Sequence, residues 1–408
     1  MTTTVYPGDS LTPRQRLVYV IVLGALTALG PFTIDLYLPA FPAVEAAFNS
    51  TEAAVQLTLT ATTIGFALGQ LVVGPWSDKI GRRTPLIAAT IVHIVASFGV
   101  ALAPDMVWVG IFRVLQGVGA AGGGVVAMAM VRDLFGGLPL VRMLSRLALV
   151  SGLAPIIAPV IGSQLLLVMD WRGIFWFLTA YGIIVILAAI FFLVETLPKE
   201  RREDKGHSTV GERYKALFSD RVFVGVAIVA GMTFSGLFAY LSASSFLFQD
   251  GFGFNAQQFG FLFAINSLGV VFGVQTSSRL AKYFGPQWIL LGAVIGMLVS
   301  ATAIVALDLA GAGLTGIVIP LWFFIASCGF AFPCQQVLAL ANHGGEAATA
   351  ASLMGAINFG LAGAISPLVG LLGISAHTMG MVMGVTSIVS LLVIAVLIRP
   401  RTVPALTR

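Results

Sequence analysis

Charged residues are scarce in this sequence. Lys, Arg, Asp and Glu make up 10% of its 408 residues, and the mean hydropathy is +0.98. Soluble domains carry about 25% charged residues, so this composition excludes an ordinary soluble globule. The long, continuous apolar runs also lack the alternating strand pattern of a transmembrane barrel. The sequence therefore predicts a polytopic helical membrane protein.

Cysteine is almost absent, and so are the motifs of metal, cofactor and ATP chemistry. The two cysteines, Cys328 and Cys334, are six positions apart in one apolar run, a spacing that fits core packing better than metal binding. No His, Asp or Cys cluster has catalytic spacing, and no Walker A sequence is present. We therefore expect neither an enzyme nor a metal or cofactor site, and no direct drive by ATP. Met1–Pro13 is polar and the first apolar run is long enough to span, so we expect that run to remain as an anchor.

Twelve apolar runs of span length account for most of the chain. We predict a tail at 1–16, a six-helix half at 17–194, a linker at 195–221, a second half at 222–398 and a tail at 399–408. The predicted spans are 17–38, 53–75, 84–102, 106–130, 143–168, 173–194, 222–248, 256–278, 287–309, 314–340, 347–372 and 377–398.

The basic residues indicate the topology. With twelve spans, 20 of the 22 Lys and Arg fall in loops and tails on one side, whereas the opposite loops are acidic apart from Arg172. By the positive-inside rule, both termini are predicted to be cytoplasmic. This distribution explains the net charge of +5 without nucleic acid. Two halves of six spans are typical of secondary transporters, which bind substrate between the halves.

Two charges are predicted to lie inside spans, where ionised side chains are costly and usually functional. Asp35 is the only charged residue between Arg16 and Glu45, and Arg113 lies eight residues after Asp105. At 1.5 Å per residue both lie roughly 12–15 Å from the acidic side, if the chain is helical there. We expect Arg113 to lie near Asp35, although it could instead be a structural arginine bound by backbone carbonyls.

Four stretches carry a family resemblance: Asp35–Pro42, Gly74–Arg83 (GPWSDKIGRR), Arg113–Ala121 and Gly152–Gly162. Together they resemble the major facilitator superfamily, and more closely its twelve-span drug:proton antiporters of the Bcr/CflA type. The resemblance implies an all-α membrane protein with the major facilitator fold. It also implies proton-coupled export of a lipophilic, phenicol-like drug across the bacterial inner membrane, by a multi-pass monomer.

The resemblance assigns roles to three motifs. Asp35 and Arg113 would couple protons to transport. The loop motif would latch the two halves; its residues are Gly74, Asp78, Gly81, Arg82 and Arg83. Alternatively, its basic residues could serve only as topology anchors. The fifth span would carry the antiporter motif, whose defining residues are Gly152, Pro155, Pro159 and Gly162. In the loop motif, Gly74, Pro75 and Gly81 are predicted to form the turn between two helices.

The predicted substrate cavity combines these charges with aromatic and amide side chains. Its residues are Phe32, Asp35, Tyr37, Arg113, Gln116, Phe234, Phe238, Tyr240, Asn266 and Asn358. Each aromatic residue could instead serve helix packing, and His93 could relay protons or simply pack. Gly117–Gly122 has the form GxGxxG, but it lies in mid-span, so Gly117 and Gly119 are interpreted as helix contacts.

Other functions fit parts of this pattern. A proton-coupled nutrient importer is less consistent with the motif in the fifth span. The motifs do not exclude an exporter of an endogenous metabolite, sugar or peptide. A membrane enzyme or a transporter-like sensor lacks support, because neither a catalytic cluster nor a large signalling segment is present.

Overall fold

A computed structural model describes residues 7–199, 202, 210–341, 343 and 347–403. All regular structure in these residues is helical. The α-helices are α1 Pro13–Asp35, α2 Phe41–Phe48, α3 Glu52–Ile80, α4 Arg83–Ala101, α5 Met106–Leu134, α6 Gly137–Leu165, α7 Trp171–Phe192, α8 Val210–Ser219, α9 Arg221–Phe246, α10 Ala256–Phe284, α11 Pro286–Leu309, α12 Gly313–Leu340, α13 Ala347–Ile365, α14 Pro367–Leu371 and α15 Ala376–Val393.

Twelve helical segments in the described residues are long and apolar enough to cross a membrane, which confirms the predicted number. α1 and α2 form one such segment together with the 3-10 turn Leu38–Ala40, and α9 is extended by a π-helical turn at Leu247–Gly251. The linker predicted at 195–221 contains α8. Its residues 200, 201 and 203–209 lie outside the described residues, as do the tail residues 1–6 and 404–408.

Polar side chains start several of the helices. Asp105 accepts hydrogen bonds from the backbone N–H groups of Val107 and Trp108, and Asp220 caps α9 in the same way. Asp170 accepts from the N–H of Gly173 at the start of α7. These carboxylates satisfy N–H groups that have no partner within the helix. Asp105 and Asp170, two acids of the loops opposite the basic side, are therefore also helix caps.

The first predicted span is interrupted where the sequence suggested a continuous helix over 17–38. α1 ends at Asp35, a turn follows, and helical structure resumes at Leu38. Pro39 explains the break, because it has no N–H to donate to the carbonyl of Asp35. Asp35 is therefore the last residue of α1, and its predicted depth, which assumed a continuous helix, does not hold.

The second predicted span is longer than expected. α3 continues through Gly74 and Pro75 to Ile80, so the predicted turn at these two residues is wrong. A proline inside a membrane helix removes one hydrogen bond, and neighbouring groups can compensate for it. Only Gly81 lies in the turn, with φ of +106°, a conformation that favours glycine.

The chain divides into two compact units: residues 1–37 with 61–207, and residues 38–60 with 208–408. Residues 38–60 are tied into the second unit by polar side chains. Ser245 donates to the Leu38 carbonyl at 2.6 Å, and Gln56 donates to the Ser242 carbonyl at 3.0 Å. Because Pro42 cannot donate to the Leu38 carbonyl, the hydroxyl of Ser245 takes the place of the missing helical bond.

Candidate functional site

Arg113 is a fully buried cation of the first unit. It is on α5, about two turns after the Asp105 cap, and has no exposed surface. Its Nη1 donates to the Thr33 carbonyl at 2.8 Å and to Gln116 Oε1 at 2.7 Å. These two acceptors hold the guanidinium between α1 and the next turn of α5.

Two aromatic rings complete the surroundings of this cation. The Cζ of Arg113 lies 4.7 Å from the ring centroid of Tyr37 and 5.8 Å from that of Phe175. The two rings contact each other at 5.2 Å. A desolvated cation–π contact contributes about 2 kcal/mol, which partly offsets the cost of burying the charge. Carbonyl, amide and ring contacts thus surround Arg113.

Asp35 is buried at the end of α1, with 5% of its surface exposed. Among the described residues, no ion pair within 4.0 Å includes Asp35 or Arg113. The predicted proximity therefore does not amount to a direct charge pair. Arg113 instead reaches the Thr33 carbonyl, two residues before the acid. Carbonyls in the last turn of a helix have no partner within the helix. Because α1 ends at Asp35, the Thr33 carbonyl is available to accept from Arg113.

The other predicted cavity residues of the first unit separate into two groups. Tyr37 and Gln116 contact Arg113 directly. Phe32 is half-buried and packs at 5.2 Å against Tyr181, whose hydroxyl donates to the Ala25 carbonyl at 2.9 Å. Tyr37 and Gln116 therefore belong to the Arg113 cluster, whereas Phe32 lies in an aromatic contact with α7.

The loop motif forms a charge cluster within the first unit, centred on Arg82. Its Nη1 pairs with Asp78 Oδ1 at 2.6 Å and its Nε pairs with Asp133 Oδ2 at 2.7 Å. The Ser77 hydroxyl accepts from Nη1 at 2.9 Å, and the Thr196 hydroxyl donates to Asp133 at 3.1 Å. Burial lowers the pKa of Arg82, but the bonds to Asp133 and Asp78 outweigh that effect and leave the pKa above its usual value.

Glu195 caps α4 at the same cluster. Its carboxylate accepts from the backbone N–H groups of Arg82 at 2.8 Å and Arg83 at 3.1 Å. Burial raises the pKa of Glu195, but the backbone donors Arg82, Leu197 and Arg83, with the charge of Arg202, bring the pKa below its usual value. Sequence reasoning missed both Asp133 and Glu195. The only signal for either acid was its position, because each lies at the end of a span on the side that carries most of the Lys and Arg residues.

The antiporter motif lies on α6, which continues through both of its prolines. A Cβ at Gly162 would overlap the carbonyl of Leu36, so this glycine permits close contact with the break after α1. Gly152 has open space around it. The two glycines of the motif are therefore not equivalent in packing.

Two mid-span glycines of α5 serve close helix contacts, which confirms their interpretation. A Cβ at Gly117 would overlap the Thr62 carbonyl of α3, and one at Gly119 would crowd the Ala89 carbonyl of α4. These contacts bring α3 and α4 against the turn of α5 that follows Arg113. The GxGxxG pattern thus serves packing rather than a phosphate.

The second unit contains a cluster of four phenylalanines. Phe234 lies 5.1 Å from Phe238, 5.1 Å from Phe359 and 6.3 Å from Phe332, measured between ring centroids. Phe238 is buried and the other three rings are half-buried. Sequence analysis selected Phe234 and Phe238 but missed Phe332 and Phe359, since one aromatic among many carries little signal. Beside Phe359 in the chain is Asn358, whose Oδ1 is buried without a hydrogen-bond partner in the described structure.

The remaining predicted cavity residues of the second unit bond to each other. Asn266 Nδ2 donates to the Tyr240 hydroxyl at 3.2 Å, and both side chains are buried. Tyr240 also stacks on Phe263 with centroids 5.6 Å apart. Within the described residues, no group of three or more His, Cys, Asp or Glu side chains could hold a metal ion.

Twelve apolar helices indicate a multi-pass membrane protein, and the family match indicates a transporter rather than an enzyme. The Major Facilitator Superfamily matches residues 23–367, and the chain belongs to this family.

Three curated relatives resemble the chain over most of its length. An uncharacterized MFS-type transporter, YdgK of Bacillus subtilis, is 34% identical and the match covers 93% of this chain and 94% of the relative. A bicyclomycin resistance protein homolog of Haemophilus influenzae is 28% identical, and the match covers 93% of this chain and 96% of the relative. The multidrug resistance protein MdtL of Salmonella heidelberg is 30% identical, and the match covers 91% of this chain and 92% of the relative.

The fold also matches solved transporters. A bacterial homolog of the human lysosomal transporter Spinster, solved in an inward-facing and occupied conformation, gives a TM-score of 0.74 at 15% identity. The match covers 96% of this chain and 98% of that structure. At this identity the similarity supports the major facilitator fold alone.

Proposed function

We propose that this chain is a drug:proton antiporter of the Bcr/CflA type in the bacterial inner membrane. It exports a lipophilic, drug-like compound by alternating access and works as a monomer with both termini in the cytoplasm. Phenicol antibiotics are the first compounds to test. The names of two relatives, a bicyclomycin resistance protein homolog and a multidrug resistance protein, support export of drugs.

The observation that carries the proposal is the buried, unpaired acid at the end of α1. Asp35 has 5% of its surface exposed, and no ion pair of the described residues includes it. An ionised carboxylate in such surroundings costs several kcal/mol, so the proton is retained while the site stays closed. Access of water or substrate to Asp35 removes that cost and allows the proton to leave. Proton loss is thereby linked to a change in the surroundings of α1.

Arg113 supports this cycle through the backbone. It bonds to the Thr33 carbonyl in the last turn of α1, and α1 ends two residues later. A change in the guanidinium contacts therefore acts on the turn that holds Asp35. In the proposed cycle, substrate entering from the cytoplasm favours loss of the proton from Asp35. Protonation from outside then favours substrate release and return.

The phenylalanine cluster of the second unit supports an apolar, aromatic substrate. Three of its rings retain exposed surface, and aromatic pairs contribute about 0.5–1.5 kcal/mol beyond the area that they bury. Asn358 adds a hydrogen-bonding group next to Phe359 in the chain. A neutral amide on the same helix as Phe359 suits a lipophilic compound with few charges.

Transport in everted vesicles tests the proposal. Vesicles containing the wild type should accumulate chloramphenicol when the interior is acidified, and collapse of the pH gradient should stop uptake. Asp35→Asn should abolish gradient-driven uptake. Asp308→Asn is the matched control, because it neutralises an acid near the end of α11 and should leave uptake unchanged.

A resistance screen in a pump-deficient bacterium extends the test to phenicols, bicyclomycin and other lipophilic drugs. Resistance that depends on Asp35 supports drug export. Wild-type export by the Asp35→Asn variant would remove Asp35 from the mechanism. Export that is independent of the pH gradient would refute proton coupling.

A further inference from the structure

We propose that Ser97, on α4, is a positioning residue that sets the direction of the hydrogen bonds to Arg113. This inference rests on the proposed coupling role of Arg113. Ser97 is fully buried, and its hydroxyl bonds to His93 and Gln116. It acts through the side-chain amide of Gln116, which lies one turn after Arg113 on α5.

The first hydrogen bond of this chain is made to the backbone of α4. The Ser97 hydroxyl donates its single proton to the His93 carbonyl at 2.8 Å. Its oxygen is then an acceptor, and Gln116 Nε2 donates to it at 2.8 Å. A hydroxyl has one proton to give, so it fixes which end of the Gln116 amide faces α4.

The amide transmits this direction to Arg113. With Nε2 turned to Ser97, Gln116 Oε1 faces Arg113 Nη1 and accepts from it at 2.7 Å. Guanidinium has only donors, so a reversed amide would place an NH₂ group against another donor. The Ser97 hydroxyl and the Arg113 guanidinium thus favour the same orientation of the amide. Without the Ser97 hydroxyl, Gln116 Nε2 loses its acceptor, and the contact with α4 no longer holds Oε1 against Arg113. Arg113 then loses its defined acceptor and is held mainly by the Thr33 carbonyl.

The surroundings leave few substitutes for these bonds. Gln116, Ser97 and His93 are all buried, and Arg113 Nε and Nη2 are buried without a partner in the described structure. Besides Arg113, a titratable side chain at these bonds is His93, whose Nδ1 lies 3.5 Å from the Gln116 backbone oxygen. On the Arg113 side, Tyr37 offers its ring. The orientation of one amide therefore controls one of the two acceptors bonded to Arg113.

Transport in proteoliposomes tests the inference. We compare chloramphenicol uptake driven by a pH gradient with exchange of labelled for unlabelled chloramphenicol, which needs no net proton movement. Ser97→Ala should lower gradient-driven uptake roughly tenfold, the effect of losing one buried hydrogen bond, and change exchange less than about threefold. Ser97→Thr keeps the hydroxyl and should restore uptake.

Thr90→Ala is the matched control, because Thr90 is buried on the same helix and its hydroxyl also donates to a carbonyl four residues earlier. It should leave the ratio of the two transport modes unchanged. If Ser97→Ala keeps gradient-driven uptake within about twofold, or lowers both modes equally as a folding defect would, the inference is wrong.

A ligand-free double-mutant cycle tests the bond chain independently of any substrate. Ser97→Ala, Gln116→Leu and the double variant are compared by their unfolding equilibrium constants. Non-additivity of roughly tenfold supports the chain, because Ser97 then acts only when the amide is present. Additivity contradicts it. Arg113→Ala separates the two proposals. If transport by that variant still depends on the pH gradient, the coupling role of Arg113 is wrong. If Arg113→Ala loses this dependence but Ser97→Ala transports as the wild type does, only the role of Ser97 is refuted.

Discussion

Asp133, and not Asp78, is predicted to be the stronger partner of Arg82. Asp133 faces Arg82 with both carboxylate oxygens, at 2.7 Å to Nε and 3.4 Å to Nη2, and the two side chains are 15% and 7% exposed. Asp78 makes one short contact with Arg82 and is 32% exposed. The two acids can therefore be ranked by burial and by the number of bonds.

The structure sets the size of the two effects. Breaking a buried ion pair by removing one partner costs about 3–5 kcal/mol. We reduce this to about 2–3 kcal/mol for Asp133→Asn, because asparagine keeps one acceptor and the pair lies at a helix end. For Asp78→Asn we expect about 0.5–1 kcal/mol, near the range of surface pairs, because Asp78 is 32% exposed and makes one short contact with Arg82.

Unfolding by SDS in mixed micelles, followed by tryptophan fluorescence, measures both free energies. The free energy of unfolding should fall at least twice as much in the Asp133→Asn variant as in the Asp78→Asn variant. Replacing both charged partners, as Arg82→Gln with Asp133→Asn, should cost less than the sum of the single changes. An equal or larger loss for Asp78→Asn would refute the ranking, and additive losses would refute the pair.

Three further predictions concern Arg113, Glu195 and the antiporter motif. Arg113→Lys should lower coupled transport by about tenfold or more, because an ammonium is more strongly hydrated than a guanidinium and lacks the planar face that lies against the Tyr37 and Phe175 rings; uptake in vesicles measures this, and wild-type rates would contradict it. Glu195→Gln should destabilise the protein at neutral pH. Because the pKa of Glu195 is lowered from 4.5, this stabilisation is present above that value and is lost as the pH falls through the lower, folded pKa. Unfolding free energies of the two proteins measured from pH 7 to pH 3 should converge, and a constant difference would exclude the carboxylate as the cause. Gly162→Ala should cost about 1–3 kcal/mol because its Cβ overlaps the Leu36 carbonyl, whereas Gly152→Ala should be neutral or slightly stabilising; reversed SDS stabilities would contradict this packing.

Much of the fold could be predicted from composition and spacing. The number of spans follows from apolar length, and the helix starts at Asp105 and Asp170 coincide with acids that cap them. The boundaries were less accurate where proline was involved. Pro39 ends α1 early, whereas Pro75 lies inside α3 without ending it. A proline removes one donor in both cases, and only the neighbouring contacts decide whether the helix continues.

The candidate site was predictable only in part. Buried charge in an apolar run is a strong signal, and it selected Asp35 and Arg113. The partners of these residues carry no such signal: Thr33 contributes a backbone carbonyl, and Ser97 is one hydroxyl among many in the spans. The same limit applies to Phe332 and Phe359, which meet Phe234 only through the packing of separate helices. Long-range pairing depends on tertiary structure, so periodicity within one helix does not reveal it.

Proton release by the purified protein tests the central claim most directly. In weakly buffered detergent solution, binding of chloramphenicol to the wild type should release up to about one proton for each molecule bound, because substrate and proton bind in exchange. The Asp35→Asn variant should bind the drug and release none. The same proton release from Asp35→Asn as from the wild type, at equal drug occupancy, would contradict the proposal that Asp35 carries the proton.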